Sequence, residues 1–181
     1  MTVSLELLSR GPSRPDLLED LVVTGSGLAA TLSRWSAPEP VEVPTEPGTG
    51  LPALDAVAEV LAADAAVVID VAPGLGESGP AADRLVDLLA VAAHSGVGFG
   101  SGLIPRCTDA GQVWSLLAGA VAAMTGGDVR AALVAPDPAA LVALPRAARE
   151  AIRDVVTCAL VPEDVLEGIS ADLESALRPR R

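Results

Sequence analysis

The amino-acid sequence predicts an α+β fold, in which helices pack on a mixed sheet of about four to six strands. Residues 66–71 are almost entirely apolar, as is typical of a central strand covered on both faces. After Pro52 and after Pro80, apolar residues recur at the spacing of a helix that has one buried side. Strand and helix patterns therefore occur in the same chain and alternate along its first part.

The elements predicted before residue 50 begin with a strand at residues 3–7, where apolar and polar residues alternate. Pro15 opens a helix, and residues 24–27 are rich in glycine and predict its end. Residues 28–35 alternate loosely and predict a second strand. Val41 and Val43 flank Glu42 in a third, which the surrounding prolines place at a sheet edge.

A helix after Pro52 and the strand at 66–71 complete the order βαββαβ, which is that of a ferredoxin-like sandwich. The chain after residue 79 is predicted to be mostly helical. Its predicted helices span residues 80–94, 109–124 and two or three segments between 138 and 177, and its strand candidates are 97–104 and 129–135. We expect one domain over residues 1–181, with an αβ sandwich at 1–72 and a helix-rich part at 79–177 as its substructure.

The composition restricts the possible partners. The chain has 24 acidic residues against 12 basic ones, all arginine, and a net charge of −12. Such a charge disfavours binding to nucleic acids and to anionic membranes, and it favours a basic protein partner. Hydrophobic residues make up 50% of the chain, which favours a homo-oligomer. The absence of Lys, Asn and Tyr indicates a bacterium with a GC-rich genome.

The N-terminal residues lack the basic head and apolar run of a signal peptide. Cys107 and Cys158 are far apart and do not form a disulfide framework. We therefore expect a cytoplasmic protein with reduced thiols.

Gly74, Gly76 and Gly79 form a G-x-G-x-x-G pattern directly after the best strand, where a dinucleotide-binding loop would lie. Glu77 puts a carboxylate where phosphates would sit, and Pro80 removes an amide donor. A glycine-rich connection is therefore the favoured interpretation, with Gly74 and Gly76 kept as candidate ligand-binding residues.

A second cluster places glycine at every other position from Gly96 to Gly102. It predicts a tight crossing beneath a helix or a mobile loop, or alternatively the floor of a pocket. Gly98 is a candidate binding residue here, with His94 before the cluster and Arg106 after it. Asp70 is a fourth polar candidate, because it either is buried in an apolar strand or lies at the strand's carboxyl end.

The chain contains a single histidine, so a catalytic dyad would need Cys107 as nucleophile and His94 as base. A histidine at a helix end and a small, semi-buried cysteine are the favoured interpretation. No metal-ligand motif and no cofactor motif beyond the glycine pattern is present, so we expect no metal and no cofactor.

The sequence thus predicts a non-catalytic protein that acts by protein–protein interaction or self-assembly, in an accessory, scaffold or toxin-neutralising role. The alternative is a small-molecule-binding protein or enzyme whose pocket lies near Gly74–Gly79 and Gly96–Gly102. Asp70, His94 and Arg106 would then supply the polar groups of that pocket.

Overall fold

A computed structural model of the chain describes residues 22–34, 39–76, 78–94, 102–166 and 168–169. Its strands are β1 (Val22–Val23), β2 (Val41–Glu42), β3 (Ala66–Asp70), β4 (Gly102–Arg106) and β5 (Ala159–Leu160). Its helices are α1 (Gly25–Arg34), α2 (Leu54–Ala62), α3 (Pro80–His94), α4 (Ala110–Thr125), α5 (Val129–Val134), α6 (Pro138–Val142) and α7 (Arg146–Val155). The predicted strand at residues 3–7 and the candidate Gly98 lie outside the described residues.

The described strands form one five-stranded sheet in the order β1-β5-β4-β3-β2, and each pairing is parallel. Its centre is the β3–β4 pair, which is in register over five residues from Ala66 opposite Gly102 to Asp70 opposite Arg106. Parallel neighbours cannot be joined by a tight turn, so helices connect the strands. The sheet takes strands from both parts of the predicted substructure.

The prediction of a four- to six-stranded sheet with helices packed on it is confirmed. The described pairings are all parallel where a mixed sheet was expected, which makes the arrangement an α/β one. The ferredoxin-like order also differs, since the described order from β1 to β3 is βαβαβ. The reason is that a helix separates each strand from the next, so each strand returns in the same direction.

Two predicted strands are helices in the structure. Residues 28–35 fall largely in α1, because the Thr24 carbonyl accepts hydrogen bonds from the amides of Gly27 and Leu28 and starts the helix. The glycine-rich residues 24–27 therefore begin a helix and do not end one. Residues 129–134 form α5, since the Asp128 carboxylate caps it by accepting from the amide of Ala131 at 2.9 Å.

Apolar clusters cover the two faces of the sheet. Val67 and Ile69 of β3 belong to the larger cluster, with buried side chains of α2, α3, α4 and α7. Ala66 and Val68 point the other way, into a smaller cluster with Leu32 of α1. The prediction that this strand is covered on both faces is therefore confirmed. Helix α1 covers the face opposite to that of α2, α3 and α4. Crossovers between parallel strands are right-handed, and the β1-to-β2 connection crosses the sheet in the direction opposite to that of the connections that follow it.

The predicted edge position agrees with the described part of the sheet, at whose end β2 lies. It is only two residues long, and Pro40 and Pro44 flank it. Proline cannot donate to a strand ladder, so these residues limit pairing with another chain. Among the described residues, no helix combines the length and apolarity that crossing a bilayer requires.

Gly102, the last residue of the second glycine cluster, is where the end of α7 crosses the start of β4. A β-carbon on this residue would lie 2.8 Å from Thr157 Oγ1 and 3.0 Å from the carbonyl oxygen of Val155. Its φ of +149° is one that side chains rarely adopt. The predicted tight crossing is thus present at this position, and it requires glycine.

Replacing Gly102 with alanine is expected to lower the free energy of unfolding by about 3 kcal/mol, because strain adds to a clash with backbone that cannot rotate away. Gly48→Ala is the matched control, since Gly48 also has a positive φ, +91°, but nothing within 4 Å of a β-carbon. That control should lose about 1 kcal/mol. Urea denaturation of both variants measures the difference, and equal losses would contradict the crossing as the cause.

Candidate functional site at the carboxyl edge of the sheet

The parallel sheet gathers the carboxyl ends of its strands at one edge, which is where open α/β sheets bind their ligands. Asp70 ends β3 and Arg106 ends β4, and the two are register partners. Glu42 ends β2, on the other side of β3. Three charged residues from neighbouring strands therefore share this edge.

The three side chains extend on the same face of the sheet. Val68 and Ile104 lie two residues before Asp70 and Arg106 and belong to the smaller cluster on the α1 side. Side chains two apart in a strand point the same way, so Asp70 and Arg106 also face the α1 side. Glu42 is the register partner of Val68 and shares that face.

The contacts at this edge form between charged groups of the chain itself. Arg106 Nη2 forms an ion pair with Glu42 Oε1, reaching across the end of β3. The Arg106 side chain is 49% exposed and that of Glu42 is 71% exposed, so solvent screens the pair. Pairs of this kind contribute about 0–1 kcal/mol. Asp70 does not pair with Arg106, and its Oδ1 accepts from the amide of Ala72 at 3.2 Å.

Asp70 thus lies at the end of its strand and is exposed, which is the second of the two placements considered for it. Gly74 and Gly76 follow it along the same edge. The structure therefore brings four of the predicted site residues, Asp70, Gly74, Gly76 and Arg106, to one edge of the sheet.

His94 and Gly102, the last residue of the second glycine cluster, lie toward the opposite edge. Helix α3 leaves the carboxyl end of β3 and returns toward the amino end of β4, so His94 lies roughly 20 Å along the helix from Pro80. Its Nδ1 is 2.8 Å from the carbonyl oxygen of Ala90, in the last turn of the same helix. Gly102 begins β4 at that amino edge. The described residues therefore do not bring Gly74–Gly79 and Gly102 into one pocket.

The G-x-G-x-x-G pattern has a packing explanation at its first glycine. Gly74 is buried, and a β-carbon there would lie 2.5 Å from Leu85 Cβ and 3.1 Å from Leu51 Cδ1. Gly79 has a φ of +113° directly before α3. Gly76 is exposed, and the nearest atom to its β-carbon position is 3.8 Å away. The pattern therefore provides close packing of α3 and a turn.

Gly74→Ala is expected to lower the free energy of unfolding by about 1–3 kcal/mol, because the added methyl group overlaps Leu85. Gly76→Ala, in the same pattern, should change it by no more than about 0.5 kcal/mol. Chemical denaturation compares the two variants. A phosphate-binding loop would show the reverse, with both alanine variants folding normally and losing only a ligand.

Both cysteines are buried free thiols. Burial raises the pKa of Cys107 to about 12, and the carboxylates of Asp109 and Asp70 add to this effect. Burial alone raises the pKa of Cys158 to about 12. The thiolate is the reactive form, so neither residue is a nucleophile at neutral pH. The interpretation of Cys107 as a small packed side chain fits this environment.

Stability at alkaline pH is expected to depend on these two thiols. The chain contains no Lys and no Tyr, and Arg titrates above pH 12, so cysteines are its titrating side chains between pH 9 and 12. The folded thiols keep their protons while the unfolded ones ionise above about 9. The stabilisation is therefore complete below pH 9 and is lost as the pH rises toward 12.

Urea denaturation at increasing pH measures this loss. The Cys107→Ala/Cys158→Ala variant should show a lower but flatter stability profile over the same range. A slope that is unchanged in this variant would show that another process causes the loss.

Glu42 was not among the predicted site residues, yet it pairs with Arg106, which lies 64 positions later in the chain. Its position between Val41 and Val43 identified it only as the polar residue of an edge strand. The order of the strands decides which distant side chain reaches Arg106, and the sequence pattern carries no signal for that order.

Among the residues that the structure describes, no three His, Cys, Asp or Glu side chains are grouped so that they could hold a metal ion. Comparison of the chain with family models, with curated proteins and with solved structures gave no match. The chemistry of the described residues is therefore the basis for interpreting the site.

Proposed function

We propose that this chain is a non-catalytic protein that acts by binding a basic protein partner. The proposal rests on a difference between the basic and the acidic side chains in how many are paired within the chain. The arginine side chains that the structure describes are already engaged within the chain, whereas exposed carboxylates on two neighbouring helices are not.

The non-catalytic part of the proposal is supported by the state of the potentially reactive groups. The raised pKa keeps the Cys107 thiol protonated, and His94 lies toward the other edge of the sheet. Arg106 is held by Glu42. Cys107 follows β4 at the carboxyl edge and His94 ends α3 toward the amino edge, so these two residues are not arranged as a dyad.

The engagement of the arginines leaves little positive charge for an acidic partner. Ion pairs join Arg84 to Glu46, Arg106 to Glu42, Arg130 to Asp83 and Arg146 to Glu150. Arg149 and Arg153 also interact with neighbouring groups.

The carboxylates available to a partner lie on the outer side of α2 and α3. These helices pack side by side with their inner sides buried, for example at Leu61 and Leu88. Their outer sides expose the residues that we call the acidic face: Asp55, Glu59, Asp83 and Asp87. Asp83 pairs with Arg130, and the other three have no ion-pair partner in the described part of the chain. Like charges four apart on a helix repel, and a basic partner would relieve that repulsion.

Self-assembly is the less favoured form of the same function. Two copies that each carry a charge of −12 repel, so the acidic face does not suit a contact between copies. The exposed large hydrophobic side chains among the described residues are Val41 and Val134, which lie on β2 and α5. Accessory, scaffold and toxin-neutralising roles all fit a basic partner. The free thiols of both cysteines support our proposal of a cytoplasmic location.

The acidic face is tested with two variants that remove the same number of negative charges. Asp55→Asn/Glu59→Gln/Asp87→Asn neutralises the face, and Glu39→Gln/Glu163→Gln/Asp164→Asn neutralises exposed carboxylates elsewhere. The immobilised full chain is used to capture proteins from a lysate of its host, and the captured proteins are identified and quantified by mass spectrometry.

We expect one basic protein to be retained by the wild type and by the second variant, and to be lost from the first. Its retention should also fall as salt is raised, because the screening length shortens from about 30 Å at 0.01 M salt to about 10 Å at 0.1 M. Equal loss from both variants would show that only net charge matters. That result would overturn the acidic face as the binding surface, and enrichment of no basic protein would overturn the proposal itself.

A second candidate function, small-molecule binding, is favoured by one observation. All described strands are parallel, and Asp70 and Arg106 lie together at the edge where such sheets bind ligands. The sequence predicted a pocket near both glycine clusters. In this candidate function, the binding site lies only at the carboxyl edge, beside Asp70 and Arg106. Titration of the purified chain with small molecules tests it directly.

A further inference from the structure

We infer that the carboxyl edge binds a small zwitterion such as a free α-amino acid, with Arg106 holding its carboxylate and Asp70 its ammonium group. The inference rests on the second candidate function and specifies its ligand. Three features of this edge support it: the position of Arg106, the weakness of the ion pair between Arg106 and Glu42, and the Asp70 oxygen that accepts no hydrogen bond in the described structure.

Arg106 is placed to receive an anionic group. It ends the middle strand of the sheet, and its side chain faces the α1 side, where β1 leads into α1. The loops after β3 and β4 lead to helices on the other face. Arg106 therefore lies at the carboxyl edge of the central strands, the edge where open α/β sheets bind their ligands. A guanidinium group at this place suits two-point binding of a carboxylate.

The present partner of Arg106 can be displaced. Glu42 lies on a two-residue edge strand and is 71% exposed, and its ion pair spans the whole width of β3. A screened pair of this kind is weak, so a ligand carboxylate that makes two hydrogen bonds can replace it. Glu42 therefore acts as a competitor that occupies Arg106 until a ligand binds.

Asp70 supplies the opposite charge at the correct place. It is the register partner of Arg106, so their backbones are about 4.8 Å apart across the strand pair. One of its oxygens accepts from the Ala72 amide. Its other oxygen has no hydrogen-bond partner in the described structure and can accept from an ammonium group.

The charge balance favours a ligand that carries both charges over a simple anion or a simple cation. Glu42 and Asp70 make the surroundings of Arg106 net negative, and the chain carries −12, so an anion alone is repelled. A cation alone leaves the Arg106 guanidinium without a new partner. A ligand with both charged groups attached to one carbon satisfies Arg106 and Asp70 together.

The test uses three probes of nearly the same size: alanine, which carries both charges, propionate, which lacks the ammonium group, and ethylamine, which lacks the carboxylate. Each is titrated into the full chain, and binding is followed by chemical-shift changes of backbone amides at the ends of β3 and β4. We expect alanine to bind at least about tenfold more tightly than either analogue, since each lost charge-assisted hydrogen bond costs that much or more.

Single-residue variants distinguish a role in alanine binding from a structural role, because some are expected to weaken binding and another to strengthen it. Arg106→Gln and Asp70→Asn should each weaken alanine binding about tenfold or more. Glu42→Gln should strengthen it, since the competitor is removed. Arg130→Gln is the matched control, because Arg130 also joins distant segments through an ion pair but lies in the helical layer on the other face. It should leave binding unchanged.

Equal binding of propionate and alanine would overturn the zwitterion while keeping a small-molecule site at Arg106. Weaker binding in Glu42→Gln would overturn the competition. If none of the three probes binds, the inference fails. Native mass spectrometry with a metabolite mixture then decides the second candidate function separately, according to whether any small molecule is retained by the wild type and lost from Arg106→Gln.

Discussion

The parallel pairing of β3 with β4 is the contact on which the arrangement of the other elements depends. Five residues of each strand are in register, and apolar clusters cover both faces of the pair. Parallel strands require a helical crossover, which places α3 between them and directs both carboxyl ends to one edge. The same geometry sends His94 and Gly102 to the other edge. The meeting of Asp70 with Arg106 and their separation from His94 are thus consequences of a single pairing.

Close packing explains several glycines that a motif search would assign to a ligand. Gly74 leaves space for Leu85 of α3, and Gly102 leaves space for the end of α7. Gly119 has the same role inside α4, where a β-carbon would lie 2.7 Å from Leu133 Cδ2. A core of small aliphatic side chains gains stability only if its helices and strands approach closely. In this chain, glycine allows that approach.

Electrostatics gives the two faces of the sheet different characters. On the face covered by α2, α3 and α4, arginines join separate segments. Arg84, for example, donates to the Pro52 carbonyl and pairs with Glu46. The carboxylates of the acidic face remain exposed above this layer. On the α1 side, Arg106 shares the carboxyl edge of the sheet with the carboxylates of Asp70 and Glu42. The first arrangement favours a large basic partner, and the second favours a small molecule that carries both charges.

Elements with a local pattern could be predicted from the amino-acid sequence. The apolar run at 66–71, the helix after Pro80, the helix predicted over 109–124 and the edge position of the third strand all follow from neighbouring residues. Segments rich in alanine were ambiguous. Residues 28–35 have leucines four apart that fit a helix as well as a strand. Contacts with β1 and the hydrogen bonds that the Thr24 carbonyl accepts at the start of α1 accompany the helical outcome.

The packing of the whole sheet sets which of the candidate site residues meet. The sequence grouped Asp70, His94 and Arg106 because they are close along the chain. Strand direction kept Asp70 with Arg106, moved His94 away and brought in Glu42 from a distant segment. Strand order and direction come from the packing of the whole sheet, and no local pattern records them. The polar residues near 70–107 were therefore visible in the sequence, but their grouping into a site at one edge was not.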